Sequence, residues 1–284
     1  MGFDLCQLDD TLEPALVPFT ISHTAVVLPF SRLLARWKLL SAAVIGAMVP
    51  DFRVFFPGMP RVETHSAVAL ITFCLPVGLI TYWLFQLLIK TPMVEVLPEG
   101  PYARWRPFAA EADLQSLRQW LLAALGILAG ALTHLVWDAF THDGGRGVRL
   151  FPVLDDSIID FGSRRMPAIY VMQDLGSILG LAAVLAMCCY GLRRGRQAVV
   201  PRRLVARHER YAWLSIYALA GMIFSTAFYL WATQGQPPTH SIVALASGMA
   251  IASLRGLTAA LLIVSLVLDL RLRILHHRSS GPDR

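Results

Sequence analysis

Apolar and polar positions along the chain sort into long apolar runs joined by short polar connections. Five runs are long enough to span a bilayer: Ser66–Ile89, Trp120–Phe140, Ala168–Leu192, Ala212–Thr233 and Ile242–Leu270. A hydrocarbon core about 30 Å thick takes about 20 residues of helix. None of the runs alternates with the two-residue period of a strand, and backbone in hydrocarbon must satisfy its own polar groups, so each reads as a helix. Two shorter elements precede them. Ser22 caps a helix running to about Trp37 with His23 in its first turn. The apolar piece Leu39–Val49 is too short to cross and stops at Pro50-Asp51, which makes it re-entrant or interfacial. Pro57-Gly58-Met59-Pro60 forms a loop leading into Thr64-His65-Ser66. Met1–Pro18 is acidic and has no basic n-region, so it reads as a flexible leader and not as a cleavable signal.

The expected fold class is therefore an all-α integral membrane protein, a bundle of about five transmembrane helices plus two shorter N-terminal helices. A single membrane domain covers residues 19–284 after the leader at 1–18, with its chemistry-bearing half at 19–192 and a C-terminal helix pair at 212–270. Composition agrees, since 56% hydrophobic residues, 15% charged and a mean hydropathy of +0.56 do not suit a soluble globular chain.

A net charge of +6 raises the question of nucleic acid, but the basic residues sit where membrane topology would put them. Arg193, Arg194, Arg196, Arg202, Arg203, Arg207 and Arg210 crowd one connection, and Arg271, Arg273 and Arg278 follow the last run. Positive loops stay in the cytoplasm, so the connections after Leu88 and Leu192 and the C-terminus are assigned inside. The partner is then the lipid bilayer, with no nucleic acid. Arg146, Arg149, Arg164 and Arg165 fall on the other side, accompanied by Asp143, Asp155, Asp156 and Asp160. Cys6, Cys74, Cys188 and Cys189 show no metal or redox spacing and read as packing residues.

The candidate chemistry begins in Thr133-His134-Leu135-Val136-Trp137-Asp138-Ala139-Phe140-Thr141-His142, where an apolar run ends in polar groups at i, i+4 and i+8. On a helix His134, Asp138 and His142 share one face. Imidazole and carboxylate ligate divalent metals and are costly to leave unpaired in hydrocarbon. The charge-derived topology also brings His65 to the outer mouth of the first long run, with Asp51 and His23 close by in the preceding elements. Each has a plainer reading: Asp51 can cap a turn, His65 can sit at the interface, and His142 can belong to a loop. Further candidates for substrate contact are Asp174 within the third run, Arg255 within the last, and His240, which repeats the Thr-His-Ser order of residues 64–66. Arg255 either clamps an anionic head group or pairs with Asp174. The Asp155, Asp156 and Asp160 cluster is either a solvated acidic loop or a Mg²⁺-diphosphate motif. No serine-nucleophile motif, P-loop or dinucleotide fingerprint is present.

His23, Val49-Pro50-Asp51, Thr64-His65-Ser66 and His134-x-x-x-Asp138-x-x-Thr141 followed by Gly147-Val148-Arg149-Leu150-Phe151-Pro152 resemble the bacterial inner-membrane metal-dependent hydrolase family regulated by LexA. The layout is closer still to a related family of bacterial integral-membrane proteins of unknown function, over roughly Pro18–Leu192. The resemblance implies metal ligation by His23, Asp51, His65, His134 and Asp138, and this chain adds His142. The expected function is a membrane-embedded hydrolase using zinc, or alternatively Mg or Mn, to cleave an ester or phosphoester of an amphipathic substrate at the non-cytoplasmic surface. Asp138 or Asp51 would act as ligand or general base. The alternatives are a Mg-dependent isoprenoid-diphosphate enzyme and a non-catalytic metal-stabilised scaffold or transporter.

Overall fold

Two wide helical turns, Leu70–Cys74 and Phe85–Ile89, show how proline shapes the first long helix. Pro76 and Pro92 lack the N–H that a regular turn requires, and the helix relaxes ahead of each one instead of breaking. A computed structural model describes residues 20–55, 63–109, 114–156, 158–160, 165–194, 205–234 and 242–279. Among these, five helices are long and apolar enough to cross a membrane: Leu70–Glu95, Leu117–Thr141, Ala168–Tyr190, Arg207–Thr233 and Gly248–Leu275. The architecture is all-helical as expected, apart from a short antiparallel ribbon in which Ile159 pairs with Met166. The proposed leader, the Pro57–Pro60 loop, Cys6 and His240 lie outside the described residues.

The N-terminal elements depart from the expected pair of helices. Thr20–Phe30 is a tight 3-10 helix with Pro29 inside it, so Ser22 is an internal residue and not a cap. An α-turn over Ser31–Arg36 follows, and Lys38 then reverses the chain in the left-handed region (φ 57). That reversal ends the helix expected to reach Trp37. The short apolar element is an α-helix over Leu40–Gly46, succeeded by a 3-10 turn over Val49–Phe55.

The chain divides into two units. One contains the described residues up to Tyr82 together with Leu114–Cys188. Within it, Leu40–Gly46 lies directly on the backbone of Leu117–Thr141. A Cβ on Gly46 would stand 2.2 Å from the Ile127 carbonyl oxygen, and one on Gly130 2.2 Å from that of Ala43. Only glycine permits this approach, the usual device for close helix contact in lipid.

The other unit includes Trp83–Asp113 and Cys189–Arg284. Its last two helices pair in reverse order, with the hydroxyls of Tyr217 and Ser265 2.8 Å apart and Arg271 2.6 Å from Glu209. Val96, Val205, Trp213, Val264, Leu268 and Leu272 form its buried apolar centre.

Candidate metal centre

His134 and Asp138 occupy successive turns of Leu117–Thr141 and are buried, with 1% and 8% of their surfaces exposed. The His134 ring is oriented by main chain: its Nδ1 lies 2.8 Å from the Ala47 carbonyl oxygen and donates to it. A neutral ring protonated there presents the Nε2 lone pair to the opposite side, the form in which imidazole binds metal. The Gly46 and Gly130 contact brings that carbonyl within reach. Two residues past fully buried Val49, Asp51 sits in the first turn of Val49–Phe55. His65 enters from the strand of chain before the first long helix, and its Nδ1 shares a hydrogen bond with buried Thr64 at 2.8 Å. The Cys74 thiol in turn donates to the Thr64 carbonyl oxygen at 3.8 Å.

These groups meet at one point. His65 Nε2 is 3.4 Å from Asp51 Oδ1 and 3.3 Å from Asp138 Oδ2, while His134 Nε2 is 3.5 Å and 3.0 Å from the same two oxygens. Ligands bound at about 2.0–2.1 Å around a tetrahedral ion stand about 3.3 Å apart, so the four observed separations suit one shared cation. Asp51 Oδ2, His134 Nε2 and Asp138 Oδ1 are buried without a hydrogen-bond partner. Three orphaned polar atoms in one small volume would be expensive unless they serve a further ligand. The donor set therefore fits a divalent metal, and the groups His23, Asp51, His134 and His65, His134, Asp138 each fall within 4.8 Å.

His23 and His142 flank the other Asp138 oxygen. His23 Nε2 lies 3.9 Å and His142 Nδ1 3.5 Å from Oδ1, and the His23 ring stacks on His134 with centroids 3.9 Å apart. Burial, reinforced by His134, lowers the His23 pKa to about 4 against the opposing pull of the carboxylates, so this ring stays neutral. Burial also lowers His65, but hydrogen bonds and charge from Asp138 and Asp51 outweigh it and raise the pKa to about 9. Burial raises Asp51, but the imidazoles of His134 and His65, 3.5 and 3.4 Å away, outweigh it and hold the carboxyl far below the ordinary range.

Among the described residues, the remaining sequence candidates belong to neither metal-competent group. Asp174 is half-buried on the third spanning helix and belongs to neither metal-competent group. Asp155 is exposed at the end of Val153–Asp156 and is likewise in neither group among the described residues. Arg255 lies in the other unit. The side chains of Asp156 and Asp160 are not among the described ones, and neither is His240. Reading the sequence did not single out the Ala47 carbonyl, Thr64 or the close helix contact. The last had a visible signal, Gly126-Ile127-Leu128-Ala129-Gly130, a small-x-x-x-small pattern on the helix that carries the site.

A protein-family model described as a domain of unknown function, DUF4184, matches residues 17–266. No curated protein and no solved structure matches the chain.

Proposed function

Since the chain belongs to this family of unknown function, we propose from the site itself that the protein is a membrane-embedded metal-dependent hydrolase. Its substrate is an ester or phosphoester of an amphipathic, lipid-like molecule, and its ion is zinc. The carrying observation is the convergence of His65, His134, Asp51 and Asp138 at 3.0–3.5 Å. The resemblance to the LexA-regulated metal-dependent hydrolases supports the same reading through the same residues.

Zinc in such a site polarises a carbonyl or phosphoryl oxygen and brings the pKa of water to near 7. The chain's own groups supply the rest. His134 is fixed by Ala47 and gives the centre a rigid wall, whereas the side chains of His65 and His142 are 41% and 42% exposed and leave it open to an approaching head group. Asp138 Oδ1 is the carboxylate oxygen without a hydrogen bond, placed to take the proton from the attacking water. His142, 3.5 Å from that oxygen, relays the proton to the departing alcohol oxygen. Water adds to the carbonyl carbon or phosphorus, the bond to the alcohol oxygen breaks, and the alcohol leaves with a proton. Asp51 serves as a ligand held in place by His65 and His134. The charge pattern sets the site on the non-cytoplasmic face of the cytoplasmic membrane.

Elemental analysis of purified protein tests the reading. The native chain should retain about one zinc, and the His134→Ala, Asp138→Ala double variant essentially none. Equal and negligible metal in both would overturn it. A closed structural centre is the second reading, favoured by the six candidate ligands once His23 and His142 are counted. It predicts that the metal-loaded native chain hydrolyses no member of a lipid ester panel.

A further inference from the structure

His23 has two surroundings. Its Nε2 faces Asp138, and the residue also lines an open cavity of about 290 Å³. The other walls come from Val26, Trp137 and Leu179, with Gly176 and Gly180 between them. This is about twice the roughly 150 Å³ of a cavity that holds benzene. The walls are mostly apolar, and the polar residues among them are Ser22 and His23, the second of which reaches the metal cluster.

The two glycines set the shape. A Cβ on Gly176 would lie 2.4 Å from the Trp137 ring, and one on Gly180 2.7 Å from the Ser22 carbonyl oxygen. With hydrogen at both positions, the third spanning helix comes close enough to hold Trp137 and the Ser22-His23 backbone as opposite sides of a slot. Trp137, Gly176, Leu179 and Gly180 all belong to membrane-spanning segments, so what reaches this slot comes from hydrocarbon.

We propose that the slot holds a hydrocarbon chain of the substrate, with the ester or phosphoester head at the His23 end beside Asp138. The assignment rests on the hydrolase reading for its head group and gives the substrate an acyl or alkyl chain that lies along the third spanning helix.

The test uses the full chain, zinc-loaded, in nanodiscs of branched-chain phosphatidylcholine, with bromo-dodecanoic and bromo-butanoic acids as probes. Bromine quenches nearby indole, and the component lost in Trp137→Phe reports the slot. Saturable quenching of that component should favour the long acid about tenfold. Ala25→Phe places a ring in the slot, where Ala25 also contributes to the lining. It should remove that preference while zinc content and short-acid binding stay unchanged. Leu179→Ala, at a position 65% exposed and therefore without a core to disturb, trims the same wall and should weaken the long acid several-fold. Equal affinity for both acids, or no effect of either variant, overturns the proposal. So does equal quenching by brominated phosphatidylcholine that Ala25→Phe leaves intact, which would identify ordinary boundary lipid. The same samples separate the two readings: quenching without bound metal refutes the hydrolase and keeps the slot, and bound metal without quenching refutes the slot alone.

Discussion

At the scale of single residues, protonation and coordination compete for His65. The metal-free centre holds its proton up to about pH 9, and an ion that takes Nε2 must displace that proton. Metal affinity should therefore fall as the pH drops below about 9. Chelator-competition titrations across that range measure the slope, and a flat profile would remove His65 from the ligand set. The sign is opposite for His23, which is neutral down to about pH 4 and contributes no such slope near neutrality. Asp138→Asn keeps the shape of the side chain but removes its charge. It should lower zinc affinity by about 10- to 100-fold, the scale seen when groups around a metal lose their partners, and dialysis against a fixed chelator reads the loss directly.

At the scale of elements, the site depends on how closely Leu40–Gly46 approaches Leu117–Thr141. Gly130→Val would set a branched side chain against the Ala43 carbonyl, where even a Cβ stands at 2.2 Å. Overpacking of this kind costs about 1–3 kcal/mol or more. It should also strip the zinc, because the Ala47 carbonyl would withdraw from His134. Gly248→Ala meets nothing within 4 Å and should stay within about 1 kcal/mol of the native chain in thermal unfolding. This is also where sequence and structure part. The apolar runs marked the five spanning helices with ends displaced by up to about six residues, since length and composition select the segments able to cross a bilayer. The i, i+4 spacing placed His134 beside Asp138, and charge counting brought His65 and Asp51 to the same end. The 3-10 geometry of Thr20–Phe30 was not legible, because its turn type depends on packing and leaves no distinct periodicity. Nor was the Ala47 carbonyl, since every residue carries one and only the fold decides which is used.

At the scale of the whole molecule, the ligands come from segments remote in sequence, near residues 23, 51, 65 and 134–138, so binding an ion staples the chain across more than a hundred positions. A ligand that binds only the folded form stabilises it by about 2.7 kcal/mol at a hundredfold excess over Kd. Zinc removal should accordingly lower the unfolding temperature of the native chain, and the His134→Ala, Asp138→Ala variant should show no such difference. Differential scanning in detergent checks both. The division between the two units carries a practical consequence. It falls at Tyr82, inside the helix Leu70–Glu95, and at Cys188, inside the helix Ala168–Arg194. Trimming the protein to its ligand-bearing portion would leave the second rod nearly whole but end the first partway across, with severed carbonyls facing acyl tails and no water to receive them. A minimal version has to retain the first rod at full length and shorten the chain elsewhere.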